Sequence, residues 1–430
     1  MVRSLVGDLA CATLLAVSAP LGADVLMFER VPEPNPPVSQ LEAPQAPESR
    51  EIQALEPFPA PAPTSTPTVE WSFHKTADNQ HPDGNEQQMT WLLNRARTNP
   101  TQEGIWLAAI SDPDIVAART YWGVDTGVLR SAFAAIPARP PAAFDARLYA
   151  AAKAHSDYVI SVDRQTHDGQ LDLVAASGFK YQYWAGIVFA YSEYSVYGHA
   201  GFNIDWGVGP YGMQDPPGHR KAIMSLIDNA PAAVFYSNVG YAVVSETNPS
   251  TQVGPQVIAG NLAYANTGYP DLYNVFIVGT VWEDTNGNGR YDPGEGVAGV
   301  TVMPDGGTYY AVTGIAGGYA IPVGNGTYTV TFSGGDLVGA YTRTVSVSGS
   351  SVLQDLEYYS ASNGTYNPGA WGGSSPSTDT GSGGGGGGGG CFLATAGTET
   401  TGMPAITALA SLAAALFLAR RCGGVPPARH

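Results

Sequence analysis

The sequence predicts an α+β domain followed by an all-β sandwich, flanked by two linkers too biased in composition to hold a core. Three observations carry that prediction. Apolar residues recur at helical spacing between Asn85 and Leu226; apolar β-type runs come late in that region, at Asn238 to Val244 and Gln256 to Leu262; and beyond Tyr273 the helical period gives way to short strands at turn-punctuated intervals.

Taken from the N-terminus, residues 1–23 read as a secretory signal peptide: Arg3, an apolar run from Leu9 to Ala19, and the small residues Ser18 to Ala23, with cleavage after Ala23. Residues 24–70 form the first linker. Its stretch from Val31 to Pro67 holds eleven prolines in 37 residues, a density that removes backbone donors and favours an extended spacer. The α+β domain is placed at residues 71–270. Its first helix carries Met89, Leu92, Leu93 and Ala96 at i, i+3, i+4 and i+7. A second helix begins with Asp145 as N-cap and sets Leu148, Ala152, His155 and Val159 on one face. A third follows Pro216-Pro217-Gly218, with His219, Ala222, Ile223 and Leu226 sharing a face. Glu103 to Pro140 and Tyr181 to Tyr197 read as insertions, the second rich in tyrosine and suited either to line a groove or to pack locally.

The sandwich is placed at residues 273–360, with strands at Val275 to Trp282, Gly299 to Met303, Tyr319 to Val323, Thr327 to Phe332, Thr342 to Val347 and Val352 to Tyr358. Tyr328, Val330 and Phe332 alternate with threonines, and Asn325-Gly326 supplies a hairpin turn just before them. Residues 361–390 are a flexible Gly/Ser-rich linker, and residues 391–430 a C-terminal tail. The tail's apolar stretch, Met403 to Ala419, reaches the lower edge of what spans a bilayer, roughly 17 to 25 residues. Arg420 and Arg421 should stay cytoplasmic, which leaves everything upstream outside.

Composition narrows the function. With 20 Lys+Arg against 37 Asp+Glu, the formal charge of −17 repels phosphate backbones, so nucleic acid is excluded as a partner. The three cysteines, Cys11, Cys391 and Cys422, lie near the termini, so the folded body is expected to hold no disulfide. The chain has no G-x-S-x-G, no H-E-x-x-H and no phosphate-binding glycine loop. What remains is a pair of histidines on predicted apolar helix faces, His155 and His219. An imidazole belongs there when it is hydrogen-bonded in the core or ligating, and spacing alone leaves both readings open.

Glu86 to Pro100, EQQMTWLLNRARTNP, resembles the opening helix of bacterial CAP-superfamily (SCP-like) domains, which ends in a similar L-x-N-x-x-R phrase. Ala143 to Leu148, followed by Ala154-His155-Ser156, resembles that family's second helix with its His-Ser, and Thr166-His167 its downstream Ser-His. Pro217-Gly218-His219-Arg220, then Ala222-Ile223-Met224, resembles its S-x-G-H-R-x-x-I-L segment, and Asn238 to Ala242 the strand that follows. The resemblance implies an α-β-α sandwich in which His155 and His219 share a cavity for a small apolar or peptide-like ligand, or for a protein partner. Where the family has G-E-N-I, this chain reads Gly201-Phe202-Asn203-Ile204, so Phe202 replaces a carboxylate and the expected pocket is His155, His219, Phe202 and Asn203. Two histidines want a third ligand to hold Zn2+ firmly, and Glu193, His199 and Asp205 are the near candidates in sequence. A histidine base also wants an orienting acceptor. Its loss at Phe202 favours binding over catalysis.

A second constellation stands on chemistry alone. Asp284, Asn286, Asn288, Asp292 and Glu295 place side-chain oxygens at loop positions 1, 3, 5, 9 and 12, with Gly289 at 6 and the Arg290 carbonyl at 7, the calcium-loop pattern of an EF-hand. Pro293 and the strands on both sides argue against a helix pair. With Gly279 to Trp282 before it and Gly296 to Val302 after it, the segment is similar to the SdrD B-like repeats of bacterial surface proteins. That similarity implies an Ig- or prealbumin-like sandwich acting as a Ca2+-stiffened spacer. The tail, with Cys391 to Ala396, its apolar stretch and basic pair, resembles bacterial tripartite sorting signals. Together these readings predict a cell-surface protein, anchored in the membrane through its tail or released by processing, that displays a binding module; a hydrolase using the histidines and a structural adhesion protein are the alternatives.

Overall fold

The computed structural model describes residues 65–359. The expected signal peptide, most of the Pro-rich linker, the Gly/Ser-rich linker and the sorting tail with Cys391 and Met403 to Ala419 lie outside the described residues. Among the described residues no helix is long and apolar enough to cross a membrane.

A short strand, β1 (Val69–Glu70), precedes helices α1 (Gly84–Thr98), α2 (Pro100–Ala109), α3 (Pro113–Trp122) and α4 (Thr126–Ala134) and a second short strand, β2 (Ala143–Phe144). Helices α5 (Ala146–Ser161) and α6 (Gln170–Ala176) lead into strand β3 (Tyr181–Ser192), then α7 (Ser195–Ile204), α8 (Gly218–Ile223), β4 (Asn238–Ser245) and β5 (Gln256–Ala265). The remainder is all strand: β6 (Phe276–Trp282), β7 (Val300–Pro304), β8 (Tyr309–Val312), β9 (Gly318–Pro322), β10 (Gly326–Gly334), β11 (Ala340–Val347), β12 (Val352–Leu353) and β13 (Leu356–Glu357). The architecture is α+β, with helices concentrated in the first half.

The start of α1 shows how local chemistry sets an element. Asp83 accepts from the N–H groups of Asn85 (2.8 Å) and Glu86 (3.0 Å), and Glu86 reaches back to the Asp83 N–H (2.9 Å), a reciprocal capping box. His81 Nδ1 bonds the same Glu86 carboxylate at 2.7 Å. Asp145 caps α5 as its sequence predicts, accepting from the Arg147 N–H at 2.9 Å.

In the α half a four-stranded sheet runs β2-β4-β5-β3, with β2 parallel to β4 and the other pairs antiparallel. Alternation along β4 serves both faces. Val239 and Tyr241 join the main core with Met89, Leu92 and Leu93 of α1, while Ala242 packs with Tyr149 and Ala152 of α5. Gly240 lets α5 lie close: a Cβ there would come within 2.1 Å of the Tyr149 backbone nitrogen. Helices therefore cover both faces of this sheet.

In the β half the two sheets are β1-β8-β7-β10-β11 and one in which β6 pairs with β9, β12 and β13. Ile277, Val281 and Ile321 from one sheet share a core with Val302, Tyr328, Val330, Phe332 and Val345 from the other.

Several expectations change. Tyr181 to Ser192, within the tyrosine-rich stretch, is a twelve-residue strand paired with β5; its tyrosines hid a period of two because both faces of the strand carry large side chains. Glu103 to Pro140 holds the rest of α2, together with α3 and α4. The third predicted helix ends at Ile223, before Leu226, where Ser225 takes a positive φ of 53°. Asn325-Gly326 makes no hairpin, because β9 pairs with β6 while β10 pairs with β7 and β11, so the turn passes the chain between sheets. The linker boundary also moves. Val69 and Glu70 pair with Tyr309 and Tyr310, and Trp71 packs its ring against Tyr273 (5.4 Å) and Tyr309 (5.2 Å), so this segment belongs with the β half.

The halves meet along α1. Gln87 Nε2 donates to Thr280 Oγ1 (2.8 Å), Gln88 Nε2 donates to the Tyr291 carbonyl (3.0 Å) and to Asp292 Oδ1 (2.8 Å), and Trp91 meets Trp282 edge-on at 5.9 Å. A small polar cavity of about 10 Å³, room for about one water, lies in this seam between His74, Gln87, Asn94, Thr280 and Asp355. Independent domains on a spacer would unfold in separate transitions, whereas this seam predicts one. Trp282→Ala should lower stability by about 3–5 kcal/mol and shift the helical and β-sheet signals together in a denaturant titration followed by circular dichroism and tryptophan fluorescence.

Candidate functional site

His155 lies on the inward face of α5, fully buried, with Nε2 2.8 Å from the Thr166 carbonyl. A carbonyl only accepts, so Nε2 carries the hydrogen and Nδ1 keeps its lone pair; Nδ1 is buried with no hydrogen-bond partner among the described residues. His167, in the turn before α6, places Nδ1 2.8 Å from Gln170 Oε1. Gln170 Nε2 is committed to the Gly260 carbonyl (3.2 Å) and Asn261 Oδ1 (3.2 Å), which fixes its oxygen toward the histidine. His167 therefore donates from Nδ1 and leaves Nε2 open.

His219 sits in the first turn of α8, with Nδ1 2.8 Å from Asp205 Oδ1. The other oxygen of Asp205 accepts the backbone N–H of His219 at 3.0 Å. Asp205 itself ends α7 in the left-handed region, φ 57°. One buried carboxylate thus satisfies an otherwise orphaned donor at a helix start and fixes the tautomer of a histidine. Arg220 braces the same corner, donating to the carbonyls of Asn203 (2.7 Å) and Ile204 (2.5 Å).

The structure brings part of the expected pocket together. The Phe202 ring lies 5.4 Å from the His219 ring. His167 is near enough to both His155 and His219 for each to disfavour its charged form. Asn203 turns away: its Nδ2 donates to the His199 carbonyl at 3.0 Å, and its Oδ1 is buried without a partner. His199 is no substitute ligand, because its Nε2 is bound to Glu103 at 2.8 Å in a buried pair that Arg95 completes at 2.7 Å. The loss of an orienting acceptor at Phe202 is corrected by Asp205. Its value was hidden because the contact depends on a turn from α7 into α8 that spacing does not encode.

Burial disfavours the charged imidazole at both inner histidines. It holds His155 below its ordinary value against the Thr166 carbonyl, and takes His167 down to about 4, with His219 and His155 adding to the effect. Both rings are neutral at pH 7 and offer lone pairs. In kind, His155 Nδ1, His167 Nε2 and His219 Nε2 suit zinc, each ring being anchored through its other nitrogen. In position they do not. The set of three such groups whose ligand atoms all lie within 4.8 Å of one another, among the described residues, is His81, Asp83 and Glu86, which is accounted for as the cap of α1. No chemistry is therefore routed through zinc.

The predicted calcium loop closes on itself. Asp284 accepts from the N–H groups of Gly287 (2.8 Å), Asn288 (3.1 Å) and Gly289 (2.7 Å), Asn288 Oδ1 accepts from the Arg290 N–H (2.8 Å), and Glu295 accepts from those of Thr285 (2.9 Å) and Asp292 (2.8 Å). Gly287 and Gly289 supply positive φ values of 74° and 71°. Asp292 Oδ2 receives the amides of Asn286 (2.7 Å) and Asn288 (2.6 Å). The donors fit a hard dication in kind and order, and Asp284, Asn286, Asn288, Asp292 and Glu295 are the residues that would hold it. The Arg290 side chain leaves the loop and lies over the Trp106 ring of α2, 5.7 Å from its centroid.

The chain matches no protein-family model and no curated protein.

The folded value of His167 lies below 6.5, so its contribution to stability is present above pH 6.5 and is lost as pH falls toward 4. Imidazole NMR should find His167 neutral at pH 6 and titrating near pH 4, whereas a titration near 6.5 would mean that the ring is hydrated rather than enclosed.

Proposed function

We propose that the chain is an exported cell-surface protein whose α half, CAP-like in kind, is a binding module with the His155, His167 and His219 cluster as its ligand-contacting centre. The observation that carries this reading is the anchoring of all three imidazoles through one nitrogen while the other stays open. A core histidine kept only for packing has no need of an open nitrogen, and a buried one costs free energy unless something meets it. The CAP reading is supported by the order of its phrases, which fall on α1, α5, α8 and β4, and by the helices on both faces of the sheet. The expected ligand is small and apolar, peptide-like, or a protein segment. His219→Ala should weaken binding at least tenfold for any ligand found by fluorescence screening of fatty acids, sterols and apolar peptides, with the fold retained by circular dichroism. Unchanged affinity would place the ligand elsewhere.

A hydrolase is the second reading, and the Asp205–His219 contact of 2.8 Å favours it, since an oriented imidazole is what a general base requires. It predicts turnover on a peptide or ester panel that disappears in His219→Ala and falls in Asp205→Asn.

The β half is read as an SdrD B-like sandwich with Asp284, Asn286, Asn288, Asp292, Glu295 and the Arg290 carbonyl as calcium ligands. Calcium at a hundred times its Kd would stabilise the folded chain by about 2.7 kcal/mol. The melting temperature of the whole chain should therefore fall by several degrees in EGTA, and identical melting in EGTA and excess calcium would reject the ligand set.

A further inference from the structure

We propose that the chain holds a small monovalent anion of chloride size where the end of α1 meets β4, bound by Arg97, Arg139 and Tyr241. Arg97 is fully buried in the last turn of α1. Its Nε donates to the Ile223 carbonyl at 2.5 Å and its Nη1 to the Tyr236 carbonyl at 2.6 Å, but Nη2 is buried without a partner. Tyr241 on β4 is fully buried as well, and its hydroxyl has no partner. Arg139 is tied to the same place, its backbone N–H donating to the Arg97 carbonyl at 2.7 Å, and its Nε is the third buried donor without a partner among the described residues.

Charge turns these three orphans into a site. The groups in electrostatic reach of the Arg97 guanidinium are Tyr241, Tyr236 and Arg139, and no carboxylate is among them. Asp228, which reaches Tyr236, is paired with Lys221. Two guanidiniums thus share a largely buried corner of a chain whose formal charge is −17, although buried cations are ordinarily paired. Burial, with the like charge of Arg139 adding to it and Tyr241 and Tyr236 opposing it, pulls Arg97 down to about 10. A water could accept from one or two of these donors but would leave the charge uncompensated. A halide accepts from all three and neutralises one cation. Arg139 is only partly buried, which gives the ion a way in. Its role is structural: it ties the end of α1 to β4 and to the segment before β2.

The test uses the full chain with bromide as the probe. Crystals soaked in bromide should show an anomalous peak bonded to Arg97 Nη2, and a water there would overturn the proposal. Thermal melting at constant ionic strength should be higher in chloride or bromide than in gluconate. Tyr241→Phe keeps the ring and removes one donor, and Arg139→Gln removes a cation from a partly exposed position; each should raise the halide concentration needed for half of the shift about tenfold. Equal melting in all three anions, or a halide effect that both variants leave unchanged, would overturn it. If either variant fails to fold, the bromide peak in the parent protein decides.

Discussion

Everything else in the described structure depends on helix α1 being covered on all sides. Eleven of its fifteen residues are buried, including Glu86, Gln87, Gln88, Thr90, Asn94 and Arg97. A surface helix hides one stripe and hydrates the other. Here the apolar stripe of Met89, Leu92, Leu93 and Ala96 faces the sheet of the α half, and the polar face, through Gln87, Gln88 and Trp91, meets the β half. Each polar side chain on that face is therefore obliged to find a partner in β6 or the Asp284 to Glu295 loop, and those partners hold the halves together. A segment read as a spacer is in this respect a wall of the domain it follows.

The same helix organises the interior. Its cap engages His81 through Glu86, Arg95 begins the buried chain through Glu103 to His199 on α7, and Arg97 reaches the carbonyls of Ile223 and Tyr236 on either side of the sheet's entry. Helix α7 then ends in Asp205, whose carboxylate both orients His219 and closes the N-terminus of α8. The histidine centre is thus built from elements that α1 positions without touching it. Arg290, from the Asp284 to Glu295 loop, reaches Trp106 beside Arg95, so loop and histidines belong to one packed network.

The candidate site was legible in its residue types and blurred in its partnerships. His155 and His219 stood out because an imidazole on an apolar helix face needs a reason. His167 was visible as the second half of Thr166-His167 but gave no periodic signal, since it lies in a turn. Asp205 was one of three acidic or histidine neighbours, and only the left-handed turn that ends α7 selects it over His199, which Glu103 claims. Asn203 was drawn into the pocket by its neighbour Phe202, yet on a helix adjacent residues diverge by about 100°, and it points to His199 instead.

By itself the sequence determined the local grammar: where α1 and α5 begin, which faces of them are apolar, where most strands of the β half lie, and the order of oxygens in the Asp284 to Glu295 loop. These follow from capping, period and turn chemistry, which act over a few residues. Only the tertiary structure decided that β10 leaves β9 for β7, that Tyr181 to Ser192 is a strand of the sheet, that most of α1 is buried, and which carboxylate serves which histidine. Those outcomes depend on contacts between residues far apart in the chain, and pairing across such distances leaves no mark in the spacing of a single sequence.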